Sequence, residues 1–466
     1  MAIQPNLVKT IEKLQQQIQG VVLAAGEPAY EDARRAWNVT VDQHPALIVV
    51  AHSAADIVQA VRFARAEGLD IAVQGTGHGV VRAADGALLI VTSKMKGLQI
   101  DVAAQTAWLE PGLKWGEVLA KAQAVGLAPL LGSSTDVGVV GYTLGGGMGW
   151  LARKYGLSAD NVVYFELVTA DGKLIRVSNT ENADLFWALR GGGGAFGIVT
   201  GMEIKLFPVT TVYGGNLYYP AEMAKEVITR YREWIKDAPD ELTSSFLIAN
   251  YPDIPQMPDP LRGKSFVQVR GLFSGSVEQG KEMLKFWRDW QAPIIDAWVE
   301  MPFAAAATIS NDPEDPMPSF STSAWLRELS DEAIDTIIQY GHSVNGSSPL
   351  LIAEVRNAGG AISKVDPHSS AYGNRDAAYI LHMLSLAPTP EAHHFLSQYA
   401  NQFRSAMQPW LTGGVYMNFL EGQESRERVK QGFLPENYKR LTEVKAKYDP
   451  DNYFSFGFNI PPAGSI

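Results

Sequence analysis

His78 lies in the glycine-rich run Gln74-Gly75-Thr76-Gly77-His78-Gly79, directly after the largely apolar run Leu69 to Val73. A strand that ends in a glycine turn leaves backbone N–H groups free to hold phosphate oxygens. The same turn presents one imidazole to a bound group, and an imidazole in that position can be a covalent anchor for a cofactor. The alternative is a turn histidine with no ligand, which the hexapeptide alone favours.

Three further glycine-rich segments lie within the first 200 residues: Gly132–Gly138, Gly141–Gly149 and Arg190–Gly197. Glycine lets a backbone approach a ligand without an intervening Cβ. The last segment contains a formal G-x-G-x-x-G from Gly192 to Gly197, but it follows a helix-like stretch, Asp184–Leu189, rather than a strand. The dinucleotide-binding fingerprint requires a strand and then a helix, so we reject that interpretation here. Four such segments in this order are hard to explain as turns alone.

The composition excludes several classes of protein. The chain has 466 residues, 46% of them hydrophobic and 19% charged, and a formal net charge of −11. That charge argues against a nucleic-acid partner, and no apolar run approaches the roughly 20 residues that span a bilayer. The absence of cysteine excludes disulfides and thiolate ligands, and the eight histidines form no metal-ligand pair, so we expect no metal. Residues 1–25 show no clear signal peptide, and we expect a cytoplasmic protein.

The apolar periodicity predicts a nucleotide-binding pattern in the first 210 residues and a sheet with helices after Pro208. In the first part we predict strands at 46–50, 71–73, 87–91 and 106–110 and helices at 53–68 and 115–125. In the second part we predict strands at 213–219, 244–249 and 265–271, helices at 223–237, 279–289, 331–343 and 390–407, and proline-rich loops at 252–260 and 311–318.

The order of these motifs resembles the flavin-linked oxidases of the vanillyl-alcohol-oxidase type, and more narrowly their berberine-bridge-enzyme-like branch. The residues that carry the resemblance are the His78 loop, Leu109–Gly112, the 137–149 loop, Lys154–Asn161 and Asp184–Gly191. Near the C-terminus, Tyr448–Phe454 and Ile460-Pro461-Pro462 match the closing signature of the branch. The resemblance therefore covers nearly the whole chain.

The resemblance implies an α+β fold with an FAD-binding domain in two parts, residues 1–210 and 410–466. A substrate-binding antiparallel sheet covered by helices, residues 211–409, would be inserted between them. The FAD-binding residues that it implies are Gln74, Gly75, Thr76, Gly77, His78, Gly79, Ser133, Ser134, Val137, Gly138, Gly141, Tyr142, Gly145, Gly147, Gly149, Asp160, Gly197, Ile198, Val199, Asn418 and Asn459.

Two departures from the family pattern change what we expect of the flavin. Many members attach the flavin through a histidine and a second time through a cysteine, but here the cysteine position is Ser134. A doubly linked flavin is therefore excluded, which leaves a single link through His78 or noncovalent binding. Met148 also replaces a tyrosine that many bacterial members carry in a Gly-Gly-Gly-Tyr-Gly run, which weakens any transfer of a sugar-oxidase mechanism.

Val137 stands at the position where family members control the access of oxygen to the flavin. A valine there is typical of oxidases, although valine is also a common core residue.

Two residues are candidates for the catalytic base. Tyr416, in Gly413–Phe419, resembles the tyrosine of a family Tyr-x-Asn strand that points at the flavin. His382 aligns with a strand that carries a carboxylate base in some relatives, and Ile380 shares its face. The alternatives are a buried tyrosine with a satisfied hydroxyl and a structural histidine. Arg375 and Tyr372 are weaker candidates for orienting a polar substrate.

The leading hypothesis is an FAD-dependent oxidase that takes hydride from a small or medium organic substrate, such as an alcohol, sugar, amine or alkaloid, and reduces O2 to hydrogen peroxide. The alternatives are a flavin dehydrogenase with another electron acceptor and a flavin-binding protein that has lost catalysis. The sequence identifies neither the substrate nor the oligomeric state.

Overall fold

The structure, a computed structural model, describes residues 5–255, 257–342 and 348–465. The first four residues of the chain, and Ser343 at the end of one expected helix, lie outside this part. Within it, the strands form three sheets. Among these residues, no helix combines the length and hydropathy needed to cross a lipid bilayer.

The first sheet is formed by strands close to the N-terminus, in the order β1-β2-β4-β3. β1 is antiparallel to β2, whereas β4 is parallel to both β2 and β3. Their bounds are β1 Val21–Ala24, β2 Leu47–Val50, β3 Ile71–Gln74 and β4 Leu88–Val91. The parallel arrangement places the end of β3, and with it the His78 loop, at the same edge as the end of β4.

The second sheet is antiparallel, in the order β5-β6-β9-β7-β8. Its strands are β5 Leu98–Asp101, β6 Thr106–Leu109, β7 Val162–Val168, β8 Leu174–Ser178 and β9 Ile198–Lys205. One continuous core covers it and includes the glycine segments' apolar neighbours Val139, Leu144 and Trp150.

The third sheet is also antiparallel and has the main order β13-β10-β12-β11-β16-β17-β15, with β14 paired to β10. Its strands are β10 Thr211–Pro220, β11 Leu242–Asn250, β12 Ser265–Phe273, β13 Ile295–Asp296, β14 Val299–Pro302, β15 Ser319–Leu326, β16 Ile352–Asn357 and β17 Tyr379–Leu386. Long helices cover one face with a separate apolar core. The other face meets the glycine segments.

The helices are α1 Pro5–Gln17, α2 Tyr30–Arg34, α3 Ala54–Glu67, α4 Trp115–Gln123, α5 Val139–Leu144, α6 Ala152–Tyr155, α7 Ala183–Leu189, α8 Ala224–Ile235, α9 Val277–Arg288, α10 Asp331–Gly341, α11 Ala361–Lys364, α12 Pro390–Ala406, α13 Gly422–Glu427 and α14 Pro435–Tyr448. Short 3₁₀ turns lie at Ser158–Asn161, Ala221–Met223, Phe303–Ile309, Gln408–Trp410, Met417–Phe419 and Val429–Gly432.

The strands and helices predicted from the apolar periodicity are present in the described residues, with ends that differ by a few residues. α3 shows why its ends were predictable. The Ser53 hydroxyl accepts a hydrogen bond from the Asp56 N–H, and Gly68 takes a left-handed conformation with φ of 67°. These are an N-cap and a C-terminal glycine stop, both readable from residue types.

The strand expected at Gly413–Phe419 is wrong, because the segment is a loop that leads into a 3₁₀ turn at Met417–Phe419. Gly413 has a φ of 90°, which is incompatible with a continued strand. The backbone of Tyr416 then bonds to a side chain instead of a neighbouring strand. Its N–H donates to the Ser323 hydroxyl and its carbonyl accepts from the same hydroxyl, both at 3.2 Å.

The C-terminal segment returns to the first two sheets. α14 packs against α7, and the buried ammonium of Lys445 donates to the carbonyl of Ala195 at 2.6 Å and to the carboxylate of Asp449 at 2.6 Å. The last helix is therefore tied to the Arg190–Gly197 glycine segment. Asn418, which precedes α13, lies against Gly145 in another of the glycine segments.

Candidate FAD and substrate site

The His78 loop follows β3 and is held by residues 36–38. The carbonyls of Thr76 and Gly77 accept hydrogen bonds from the Trp37 and Asn38 N–H groups, each at 3.2 Å. Gly77 has a φ of 82°, and a Cβ there would lie 2.7 Å from the Cα of Ala36. Within the described chain, the N–H groups of residues 76–79 donate to no acceptor. The loop therefore presents a row of donors that have no acceptor in the described residues.

His78 is held between an aromatic ring and a carboxylate. Its ring stacks on Trp37 with centroids 4.1 Å apart, and its Nε2 lies 3.2 Å from Oδ2 of Asp136. The other carboxylate oxygen of Asp136 pairs with the Lys114 ammonium. Burial lowers the pKa of His78 below its ordinary value, and the Lys114 charge adds to this while Asp136 opposes it. The imidazole is therefore neutral at pH 7.

The Gly132–Gly138 loop runs beside the His78 loop, and a Cβ on Gly138 would lie 3.4 Å from the Thr76 side chain. The N–H groups of residues 132–135 have no acceptor in the described residues. Ser134, at the position of the missing cysteine, accepts from the Asp136 N–H at 3.2 Å. Ser133 donates to Asp312 at 2.6 Å, which joins this loop to the 311–318 loop before β15. The two loops together thus offer two neighbouring sets of free N–H donors.

The Gly141–Gly149 segment packs closely against Asn418 and folds around the ring of its own Tyr142. A Cβ on Gly145 would lie 1.8 Å from Oδ1 of Asn418, and one on Gly147 would lie 2.6 Å from the Tyr142 ring. Gly141 has open space where its Cβ would be. The Tyr142 hydroxyl is buried and has no partner in the described residues. The segment is thus fixed on one side and keeps an unsatisfied hydroxyl.

The hydroxyl oxygen of Tyr416 accepts three hydrogen bonds. The donors are the N–H groups of Gly147 at 3.1 Å and Met148 at 3.0 Å, and the Asn418 amide at 3.1 Å. No group in the described residues accepts the hydroxyl proton. Burial raises the pKa of Tyr416, while the three donors and the positive charge of Arg356 oppose that rise. A phenol oxygen surrounded by donors alone is matched to the phenolate.

The open face of the third sheet carries a buried charged cluster opposite these loops. Glu354 on β16 lies opposite His382 on β17 in the strand register. Arg270 donates to one Glu354 oxygen from Nε at 3.1 Å and from a terminal nitrogen at 2.7 Å, and Arg356 donates to the other from Nε at 2.9 Å. Desolvation opposes ionisation of Glu354, yet the two guanidinium groups hold its pKa well below the ordinary value. The carboxylate is therefore charged.

His382 lies within this cluster, and both of its ring nitrogens face protein groups. Nε2 bonds to the Ser321 hydroxyl at 2.9 Å, and Nδ1 lies 3.8 Å from Glu354. The ring stacks on Phe419 at 4.0 Å, and Phe419 packs edge-on against Tyr416 at 4.9 Å. Burial lowers the pKa of His382. The two candidate bases thus share Phe419 as a neighbour. They differ in that the Tyr416 oxygen is surrounded by N–H donors, whereas the His382 nitrogens face a hydroxyl and a carboxylate.

Several expected residues have other partners. Asp160 forms a buried two-point ion pair with Arg375, at 2.6 and 3.0 Å, so these side chains already have partners within the protein. Ile198 and Val199 are buried at the start of β9. The Tyr372 hydroxyl is buried without a partner in the described residues, and its ring lies 6.3 Å from Tyr416.

Sequence reasoning missed the acidic and basic members of the site. Glu354 and Arg356 are two residues apart in the short run Ile352–Asn357, with Val355 between them. A spacing of two on a strand places both charged side chains on one face of the sheet, and this is the only local signal of the cluster. Glu421 accepts from the Ser319 hydroxyl at 2.8 Å and from the Ser321 N–H at 3.1 Å, and burial raises its pKa to about 7. Ser321 links this carboxyl to His382.

The donor set fits FAD. Two neighbouring loops of unpartnered N–H groups match the oxygens of a diphosphate. The unsatisfied Tyr142 hydroxyl belongs to the glycine segment that faces the charged sheet, and the same segment donates two hydrogen bonds to Tyr416, so a polar ring system would find partners there. Within the described residues, no group of three or more His, Asp or Glu side chains is placed to hold a metal ion.

Comparison with known proteins agrees with this fit. A family model described as "FAD binding domain" matches residues 45–178, and one described as "Berberine and berberine like" matches residues 415–461. An uncharacterized FAD-linked oxidoreductase of Bacillus subtilis, YgaK, is 30% identical over 454 residues, which cover 95% of this chain and 97% of that protein. The chain belongs to the FAD-linked oxidoreductase family. Its cofactor is FAD and its closing segment is of the berberine-bridge-enzyme-like type.

Two further relatives carry names that describe activities. (R)-6-hydroxynicotine oxidase of Paenarthrobacter nicotinovorans is 26% identical, over 96% of this chain and 98% of that protein. A carbohydrate oxidase of Microdochium nivale is 25% identical, over 96% of this chain and 95% of that protein. The crystal structure of 6-hydroxy-D-nicotine oxidase from Arthrobacter nicotinovorans superposes with a TM-score of 0.84 at 24% identity, covering 95% and 98% of the two chains. The predicted fold class is confirmed.

Proposed function

We propose that this FAD-linked oxidoreductase is an oxidase of a small organic substrate, with its flavin attached through His78 alone and Tyr416 as the catalytic base. Relatives named as oxidases of hydroxynicotine and of carbohydrates support the oxidase activity. The observation that carries the assignment of the base is the Tyr416 hydroxyl, which accepts three N–H donors and has no acceptor for its own proton in the described residues.

Residues 1–210 and 410–466 are proposed to bind FAD, and residues 211–409 to bind the substrate. The strands of the first two sheets all fall within residues 21–205, and those of the third fall within residues 211–386. The Lys445 contacts that tie α14 to the glycine segment support the return of the C-terminal part.

His78 is suited to form the single link. Its Nε2 faces the Asp136 carboxylate, which can only accept a proton, so the neutral imidazole carries its proton on Nε2 and keeps a lone pair on Nδ1. That lone pair is the nucleophilic site of the ring. Ser134 is hydrogen-bonded within its own loop and offers no second attachment.

The proposed roles of the residues follow from their contacts. FAD, when bound, supplies a ring that accepts hydride and returns two electrons to O2, giving hydrogen peroxide. Tyr416, as its phenolate, takes the proton of the substrate O–H or N–H and becomes a neutral phenol. The Gly147, Met148 and Asn418 donors stabilise the phenolate that acts as the base. The Glu354 cluster lies opposite and orients the substrate.

The test is a reduction assay with purified holoenzyme. Alcohols, sugars, amines and hydroxy acids are mixed with it without oxygen, the loss of flavin absorbance is followed, and air is then admitted. An oxidase is reduced by at least one class and is reoxidised rapidly with release of hydrogen peroxide. Reduction followed by slow reoxidation in air would identify a dehydrogenase instead. No reduction by any class would contradict the proposed activity.

A further inference from the structure

Arg356 uses only one of its three guanidinium nitrogens within the charged cluster. Its Nε is committed to Glu354, and its guanidinium lies over the Phe419 ring at 5.0 Å. Within the described chain, its two terminal nitrogens have no hydrogen-bond partner. The Arg356 side chain lines a cavity between the sheet and the glycine segments, together with Ser133, Met148 and Trp150.

The cluster carries an excess of positive charge. Glu354 is a single carboxylate shared by two guanidinium groups, and Arg270 occupies one of its oxygens twice. His382 adds no positive charge at neutral pH, because burial lowers its pKa. Asp312, held by Ser133 at 2.6 Å, is an additional carboxylate near the cluster, and it is exposed on its loop. Arg270, Arg356 and Glu354 thus place two positive charges against one negative charge. Glu421, whose pKa burial raises to about 7, bonds to Ser319 and Ser321 and not to Arg356.

The Arg356 side chain is only 16% exposed, so N–H donors without an acceptor are costly there, and a guanidinium fork matches the two oxygens of a carboxylate. A neutral alcohol would leave the excess positive charge of the cluster in place, and an ammonium group would be repelled by it. The buried side chains of Trp150 and Met148 give the same cavity an apolar lining, which would strengthen an ion pair formed there.

We infer that Arg356 binds a carboxylate of the substrate, so that the physiological substrate is an organic acid that also carries the hydroxyl or amine to be oxidised. This inference rests on the proposed function and names its substrate class. The acid group would be held on the sheet by Arg356, while the oxidisable end faces Tyr416. Arg356 also acts on Tyr416 through its charge, so a bound carboxylate would reduce that influence on the base.

The experiment uses oxidised holoenzyme and needs no turnover. A panel of carboxylates and their matched amides, including benzoate with benzamide and lactate with lactamide, is titrated while the flavin spectrum is recorded. At least one carboxylate should perturb the spectrum with a Kd about tenfold or more below that of its amide. Arg356→Gln should abolish this preference, and Arg356→Lys should restore part of it.

The control is Arg327→Gln, an exposed arginine that directly follows β15, which should leave the preference unchanged. Flavin content and the unfolding midpoint of each variant show whether it has folded. Equal binding of acids and amides, no response to any carboxylate, or a preference that survives Arg356→Gln would overturn the inference. Loss of flavin from folded Arg356→Gln protein would overturn it too, since Arg356 would then serve the cofactor.

The reduction assay separates this inference from the proposed function. If neutral substrates alone reduce the flavin, the oxidase proposal stands and the acid specificity is wrong. If no compound reduces the flavin while carboxylates still bind through Arg356, the anion site stands and the oxidase proposal is wrong.

Discussion

The Nε2 of His78 lies 3.2 Å from the carboxylate of Asp136, whose other oxygen pairs with Lys114. This arrangement fixes the position of the imidazole proton and leaves one nitrogen basic. It joins a loop after β3 to a loop before α5, so the proposed attachment of the flavin depends on both.

Replacement of Asp136 by Asn should impair attachment of the flavin. An amide can present a donor to Nε2 and so favour the wrong tautomer, and we expect incorporation to slow by about tenfold. The ratio of flavin to protein absorbance, before and after acid precipitation, measures the effect. Lys114→Gln is the matched control, because it removes the ion pair and keeps the His78–Asp136 contact. Full covalent incorporation in the Asp136 variant would show that the contact is dispensable.

The pH dependence of flavin reduction distinguishes the two candidate bases. A tyrosine with a raised pKa is protonated at neutral pH, so a rate that depends on Tyr416 should still be rising above pH 8. A histidine with a lowered pKa is already deprotonated, so a rate that depends on His382 should be flat above about pH 6.5. Stopped-flow reduction without oxygen, across this range, gives the answer.

Tyr416→Phe should slow reduction by about 100-fold or more and remove the alkaline rise, without release of flavin. His382→Ala is measured in the same way, with the flavin spectrum as the check on folding. An unchanged reduction rate in the phenylalanine variant would eliminate Tyr416 as the base.

Asn418 supplies one of the three donors to Tyr416 and also lies against Gly145. Asn418→Ala removes a donor that favours the anion, so the alkaline rise should move upward by about one pH unit. Gly145→Ala acts on the same donor through packing, because its Cβ would lie 1.8 Å from Oδ1 of Asn418 and displace the amide, so it should shift the profile in the same direction. If neither variant alters the pH profile, the donor set around Tyr416 does not control its ionisation.

Asp160 and Arg375 form a buried ion pair between the 158–161 turn and the segment before β17. Asp160→Asn would leave an unpaired buried guanidinium, and we expect the free energy of unfolding to fall by about 3 kcal/mol. Denaturant unfolding of the holoenzyme measures this, with Lys173→Gln, at an exposed ion pair, as the control. Normal stability with weakened FAD binding would return Asp160 to the cofactor site.

The sequence predicted what depends on local residue types. Ser53 and Gly68 define the ends of α3, and the turn around His78 follows from its glycines. It did not predict β15 and β16, because their pairing joins strands far apart in the chain, and a serine-rich run such as Ser319–Leu326 has a weak strand pattern. Glu354 reaches His382 only through that long-range register, and the Asp160–Arg375 pair spans 215 residues. Likewise, the strand expected at Tyr416 does not form because Gly413 has a positive φ, and the sequence pattern did not predict that conformation.

The most direct test of the account is to precipitate the purified protein with acid and map any flavin that remains bound. We predict that the flavin stays with the pellet and adds its mass to the tryptic peptide of residues 66–82, which contains His78. Flavin released entirely into the supernatant would contradict the proposed single link.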